Sequence, residues 1–436
     1  MPAAAFRYCG RFLVRKKISL SCLLVAILLL LSSGTRGEPV PGHYNSRQFA
    51  AVGYFATINS FSIYEDLSDP EISLKISRTW EEIKEILERV ELKISVSIPE
   101  SDIYRYNQLK YGESVEVSEE TVLLIELARE MSLKTEGYYD PTVFPLVDLW
   151  GFSPRFTHNR EQVMPYDREY SLGALPPPDP RYIETFKKLV GMDGIIVEGG
   201  KPSGYQLRKM TPPVEVDGII YQGQIDLGGI AKGYVTDLVS VLMEERGFEF
   251  GYFSSGTSSI KLMKSASFSA KQSGDSRFYL EIRKPRESAY QSDAYANIAV
   301  ENQALSSSGD YDNNYLIDGD IYSHLINPFT GYPVNLPSGG VQQGISTVTL
   351  LSGSAAEDDA YTTALCLMGP EKALDFFNSH LRERDIAMVF FRQDKNIYEV
   401  VTNISSERLT IHDPHYHLAS EVLSDGTIRY LGTFFD

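Results

Sequence analysis

The chain has 436 residues, 43% of them apolar, enough to bury a sizeable core in one large domain or two smaller ones. Its formal net charge of −17 excludes a nucleic-acid partner held on a basic face. A charged small molecule or a protein is the better class of partner.

The first 37 residues stand apart. Arg7, Arg11, Arg15, Lys16 and Lys17 precede the apolar run ISLSCLLVAILLLLSS, and no acid occurs before Glu38. This is the basic region and apolar stretch of an export signal. The run is shorter than the ~20 residues a spanning helix needs. A cleaved signal is therefore the first reading of residues 1–37 and a retained membrane anchor the second. Cys22 lies inside the run, not after it, which argues against a lipid anchor. With Cys9 and Cys22 both in this segment, only Cys366 belongs to a mature chain, so no intrachain disulfide is expected. Its neighbours TTALCLMG mark it as a structural thiol.

Residues 38–50 are polar with Pro and Gly and read as a linker ahead of a domain over 51–436. GYFATINSFSIYED (53–66) alternates and reads as a strand. Trp80, Ile83, Ile86, Leu87 and Val90 recur at helical spacing and predict an amphipathic helix over 77–95. A second helix is expected over 118–134, closed by Gly137. The stretch 152–218 reads as an irregular, lid-like insertion, because ALPPPDP (174–180) fits neither a regular helix nor a central strand. A helix, RYIETFKKLVG, follows it. QIDLGGIAKGYVTDLV (224–239) reads as strand, glycine turn and helix, with Val235, Leu238 and Leu242 toward the core. Beyond it, FYLEIRK, ISTVTLLS, IAMVFFR and NIYEVVTN predict strands, and helices are expected near 355–368 and 371–381. Strands and helices mix without strict βαβ alternation, which predicts an α+β fold.

Several stretches carry possible chemistry. The glycine turn has an acid, Asp226, before it and a base, Lys232, after it, which suits a phosphate-bearing ligand approaching the backbone. Asp359 and Thr363 are four apart and share one helix face. They offer two hard oxygens to Mg²⁺, which takes few protein ligands and completes its shell with water and phosphate. The plainer reading is an acidic helix start, since Glu357 and Asp358 also favour a helix N-terminus. His324 precedes a turn set by Asn327, Pro328, Thr330 and Gly331; it is either a general base or a packed surface histidine. SSSGDY (306–311) reads as a small-residue turn that either presents N–H groups to an anion or reverses the chain. In EGYYDPTVFPLVDLWGF (136–152), Asp140 lies among Tyr138, Tyr139 and Trp150, which seat a heteroaromatic ring or form a core under a loop. A competing metal site is His412, His415 and His417, although no fourth ligand is evident and a solvated loop explains them as well.

The order of these stretches resembles one family. An aromatic–Asp–Pro–Thr stretch, DLGGIAKGY, SSGDY, HLINPFTGYPV, and an acid and threonine four apart are similar to the ApbE family of FAD:protein FMN transferases, from about Phe55 to about Phe391. The resemblance implies a single α+β domain of mixed sheets and packed helices with a cleft between two lobes, FAD across the cleft and Mg²⁺ on its diphosphate. Asp359 and Thr363 then match the metal-binding acid and threonine, with a backbone oxygen near Gly229 as third ligand. Asp226 matches a flavin-contacting acid and Lys232 a cofactor-contacting position. Tyr138, Tyr139 and Asp140 match the segment that meets the flavin nucleotide, and Ile326 a cofactor-contacting backbone position. Phe55 stands where the family usually has the methionine of MGT. His324 matches the histidine that takes a proton from the incoming threonine.

The implied reaction moves FMN from FAD to a threonine of an acceptor protein, such as a subunit of a membrane redox complex, and releases AMP. FAD hydrolysis to FMN and AMP, or FAD binding without turnover, are the alternatives. The implied location is the periplasm or the outer face of the inner membrane. The chain departs from the family at Ser97, where an aromatic is usual and whose ring contact is lost or supplied by Tyr104 or Tyr106. It departs again at Phe329, in place of a basic residue, and in the acid density of Glu357 and Asp358, where Asp358 competes as a ligand.

Overall fold

The computed structural model describes residues 45–52, 55, 57–153, 177–265, 274–285, 293–311, 313–317, 320–337 and 341–436. The expected signal or anchor, residues 38–44 of the expected linker and residues 154–176 lie outside them.

The frame is a nine-stranded sheet whose strands lie side by side in chain order. They are β1 (Asn45–Val52), β2 (Ile58–Glu65), β3 (Gly251–Ser255), β4 (Ser259–Leu262), β5 (Gln303–Gly309), β6 (Gln343–Ser352), β7 (Asp385–Arg392), β8 (Ile397–Thr402) and β9 (Tyr416–Leu418). Every neighbouring pair is antiparallel except β8 and β9. Strand β7 shows why the sheet is buried on both faces. Ile386, Met388 and Phe390 enter one core with the helices, while Ala387 and Val389 enter a second core. That second core is closed by a three-stranded sheet of Phe278–Arg283, Ala294–Val300 and Leu409–Ile411. The period of two along a strand makes this division, and it explains the unbroken apolar run.

Five helices of eleven or more residues occur among the described residues: α1 (Pro70–Ile94), α2 (Glu119–Lys134), α3 (Gly228–Glu245), α4 (Ala355–Met368) and α5 (Pro370–His380). α1 begins seven residues before its expected start. Asp69 caps it, accepting the Glu71 N–H at 2.8 Å, and Pro70 occupies the first turn, where its missing N–H costs nothing. Ser118 caps α2 by accepting the Thr121 N–H. α3 and α4 lie against each other, and α3 also packs on β3 and β4.

Three expectations change. Residues 45–50, read as linker, belong to the edge strand β1. The described part of 152–218 is largely regular: Pro180–Phe186 is helical, and Ile195–Gly200, Gly204–Lys209 and Ser114–Val117 form a small antiparallel sheet. A hairpin of Val214–Val216 and Ile219–Tyr221 follows, turned at Asp217 and Gly218, both with positive φ (51° and 78°), the geometry that a two-residue hairpin turn requires. SSSGDY is strand through Gly309, not a turn.

The small sheet buries Lys209 completely. Its Nζ donates to the Leu109 carbonyl (2.9 Å) and the Asn107 carbonyl (3.3 Å), 4.9 Å from the Tyr106 ring centre. Burial lowers its pKa to about 8, with Glu113 opposing the shift. The folded state therefore binds fewer protons than the unfolded chain between about pH 8 and the ordinary lysine value of ~10.4. Stability from this group is lost as pH falls through about 8 and gained as pH rises toward 10.4, at up to ~1.4 kcal/mol per pH unit. Urea titrations of wild type and Lys209→Met at about pH 8 and about pH 10 should show wild type gaining on the variant at the higher pH. A constant gap would refute the assignment.

Candidate active site

The site grows from the contact of α3 with α4. At Gly233 the helices approach so closely that a Cβ there would stand 2.2 Å from the Ala355 carbonyl oxygen. Asp237, one turn further along α3, accepts the Ala355 N–H (2.7 Å), the Ala356 N–H (3.0 Å) and the Ser354 hydroxyl (2.8 Å), and so caps α4 from outside. We expect Gly233→Ala to destabilise the fold by ~1–3 kcal/mol through overpacking. Helix propensity alone would make it stabilising by up to ~1 kcal/mol. A urea midpoint at or above that of wild type would show that the contact can relax.

This packing brings the two halves of the expected metal site together. Asp359 is buried, and its Oδ2 accepts the Gly233 N–H at 3.2 Å. Thr363 donates its hydroxyl proton to the Asp359 carbonyl at 3.0 Å, which directs the Oγ1 lone pairs away from the helix. Ser308 Oγ on β5 lies 3.2 Å from that hydroxyl and 2.9 Å from the hydroxyl of Thr362. From the α3 side, a Cβ built on Gly229 would stand 3.9 Å from Thr363 Oγ1 and 3.2 Å from the Tyr139 ring. Glycine thus leaves a hollow between the turn, Thr363 and Tyr139.

Asp358 takes no part. It is fully buried, accepts from Ser352 Oγ at 2.8 Å and is ion-paired with Arg384, which also pairs with Glu357. Burial raises the Asp358 pKa, against the pull of Arg384. Asp358 therefore does not compete as a ligand.

The other expected residues mostly converge. The Asp226 N–H donates to the Pro141 carbonyl at 3.0 Å and its Oδ1 accepts the Gly228 N–H at 2.8 Å, joining the Tyr138–Asp140 stretch to the glycine turn. Lys232 Nζ donates to the Gly228 carbonyl at 3.2 Å and lies 3.8 Å from Asp359 Oδ2. Tyr139 is buried, and its hydroxyl has no hydrogen-bond partner among the described residues. Its phenol is pushed well above the ordinary value, first by burial and then by Asp359, Asp140 and Asp226. Burial also raises the pKa values of Asp226, Asp359 and Asp140. An orphaned buried hydroxyl, a glycine hollow and a concentration of desolvated carboxylates are what a hard cation with an oxygen-rich ligand would complete, so the residues fit Mg²⁺.

His324 sits just beyond the strand Asp320–Ser323. Its Nδ1 lies 3.1 Å from the Asn313 carbonyl. A carbonyl only accepts, so the neutral ring keeps its proton on Nδ1 and its lone pair on Nε2. The following turn is tied down on both sides. Asn327 Oδ1 accepts the N–H groups of Phe329 and Thr330, and its Nδ2 donates to the Leu367 carbonyl of α4 at 3.2 Å. Phe329 meets Tyr138 edge-on, 4.9 Å between ring centres. Ile326 is buried and bridges to Pro333.

Asp140 and Phe55 also serve the local fold. The Asp140 carboxylate accepts the Thr142 N–H (2.8 Å) and hydroxyl (2.5 Å), capping a short 3₁₀ turn, so its side chain supports the local fold. Phe55 has a positive φ of 54°, and its N–H donates to Glu91 at 3.0 Å, which ties its backbone to α1. Tyr106 is core and cannot replace a ring at Ser97; Tyr104 is half-buried. His412, His415 and His417 are exposed, and no group of three metal-ligating side chains occurs among the described residues. Asp237, Ser308 and Asn107 have structural roles that the sequence did not assign. Asn107 makes paired bonds to the backbone of Ile225, both 2.9 Å, and so holds the strand that leads into Asp226.

The family model described as the ApbE family matches residues 55–390. The chain belongs to the ApbE family. A protein of Vibrio cholerae named FAD:protein FMN transferase is 30% identical over 293 residues, 67% of this chain and 74% of its own length. The Escherichia coli K12 protein of the same name is 28% identical over 355 residues, 80% of this chain and 87% of its own. The apo crystal structure of the Pseudomonas stutzeri flavinyl transferase ApbE has the same fold, with a TM-score of 0.62 at 21% identity over 83% of this chain and 96% of that one. The ApbE match takes in every residue of the expected flavin and metal site, from Phe55 to Thr363, and ends before His412, His415 and His417.

Proposed function

We propose that this ApbE-family protein transfers FMN from FAD to a threonine of an acceptor flavoprotein and releases AMP, with Mg²⁺ held by Asp359, Thr363 and the Gly229 carbonyl. The observation that carries the reading is the meeting of the Asp359–Thr363 face with the glycine turn, beside the unpartnered Tyr139 hydroxyl. Relatives named FAD:protein FMN transferases support it.

Bound Mg²⁺ would neutralise diphosphate charge and hold the phosphorus in line for attack. The chain's own residues supply the rest. Asp226 and Tyr139 line the turn and offer an acceptor and a donor to the substrate. His324 Nε2 accepts the proton of the incoming threonine hydroxyl. The threonine oxygen forms a bond to the FMN-side phosphorus, the diphosphate P–O bond breaks, and AMP departs. Attack by water in place of threonine would give FMN and AMP. The N-terminal segment would place the domain outside the cytoplasm, in the periplasm or on the outer face of the inner membrane. There a subunit of a membrane redox complex is a fitting acceptor.

The test is incubation with FAD, Mg²⁺ and an acceptor carrying the target threonine. Covalent FMN on the acceptor, one AMP released per adduct and loss of both with a Thr→Ala acceptor are expected. AMP release over many turnovers without acceptor would favour hydrolysis, and bound FAD with neither product would sink both enzymatic readings.

A further inference from the structure

We infer that Lys232 is an internal counter-ion of the metal site, one that must be displaced from Asp359 for the divalent cation to bind and that then pairs with the substrate's diphosphate. The inference rests on the metal reading above. The Lys232 ammonium lies between the two halves of that site, 3.2 Å from the Gly228 carbonyl and 3.8 Å from Asp359 Oδ2. The Asp359 side chain is only 3% exposed, and it also accepts the Gly233 N–H. A carboxylate this buried needs a positive charge, and Lys232 is the nearest one described. A divalent cation on the same carboxylate would stand within a few ångströms of the ammonium, and two cations so close repel strongly away from bulk water.

Lys232 has somewhere to go. Its side chain is 25% exposed, and a long four-carbon stem can swing its head while α3 stays fixed. The anion brought by the substrate is the diphosphate, next to the same turn. Cation and diphosphate should therefore bind cooperatively: each alone must compete with or forgo Lys232, and together they satisfy it.

The experiment measures Mn²⁺ binding to the full chain by electron paramagnetic resonance of the free ion, with and without ADP as diphosphate probe. Wild type should bind Mn²⁺ weakly alone and at least ~10-fold more tightly with ADP. Lys232→Met should bind Mn²⁺ at least ~10-fold more tightly than wild type without ADP and lose most of the ADP effect, while Lys232→Arg stays close to wild type. Unchanged or weaker Mn²⁺ binding by Lys232→Met without ADP would overturn the inference, as would a wild-type affinity that ADP does not alter. Mn²⁺ binding that survives Asp359→Asn would place the ion elsewhere and overturn this inference and the metal reading together. Absence of FMN transfer with the Mn²⁺–ADP coupling intact would count against the proposed function alone.

Discussion

Asp359→Ala is expected to lower Mg²⁺-dependent FMN transfer by ~10³-fold or more, while the protein stays folded. The magnitude follows from the several kcal/mol that a bound cation supplies to a phosphoryl-type transition state, at 1.36 kcal/mol per factor of ten. Stability should be unchanged or slightly higher. Burial raises the Asp359 pKa, which means that folding penalises its charged form, with Lys232 giving only partial relief. Adduct formation with and without Mg²⁺, together with a thermal melt, checks both halves. A variant that keeps Mg²⁺ stimulation within a few-fold of wild type would remove Asp359 from the ligand set.

His324→Ala should cost ~10²–10⁴-fold in transfer rate, the usual range for a lost general base. FAD affinity should hardly move, because the ring is oriented by the Asn313 carbonyl and its turn is anchored separately through Asn327. The two effects separate in a titration of FAD by fluorescence quenching beside single-turnover transfer. Equal losses in both would reduce His324 to a structural part of the hairpin.

Much of this architecture was legible in the sequence, and the misses share physical causes. Long periodic elements declared themselves: α2, α4 and the apolar strands β6 and β7 lie where their patterns place them. The start of α1 was written in Asp69-Pro70, but as capping chemistry, which a search for apolar period passes over. The strands over 195–221 are short and interrupted by glycine and proline, so they carry little alternation. Ser306 and Ser308 look like turn residues, yet their small side chains let α4 lie close on β5, with Ser306 Oγ donating to the Ala355 carbonyl at 3.1 Å.

Within the site, helical spacing offered Asp359 with Thr363 as one reading, and the family resemblance selected it. Asp237 gave no such signal, because an acid on a helix is solvated far more often than it is buried as another helix's cap. Asp140 shows a second role that its aromatic neighbours hide: Asp–Pro–Thr already spells a capped turn.

Asp358 and Asp359 are adjacent in the chain, and successive residues on an α-helix point ~100° apart. One is bound into the Arg384 and Ser352 cluster on one side of α4, the other faces the Gly233 N–H on α3. The pair therefore works as an angular lock: α4 cannot roll about its long axis without tearing an ion pair from one flank and a carboxylate from the other. Inserting a single residue ahead of Asp358 would turn Asp358 toward the glycine turn in place of Asp359, and deleting one would put Ala360 there.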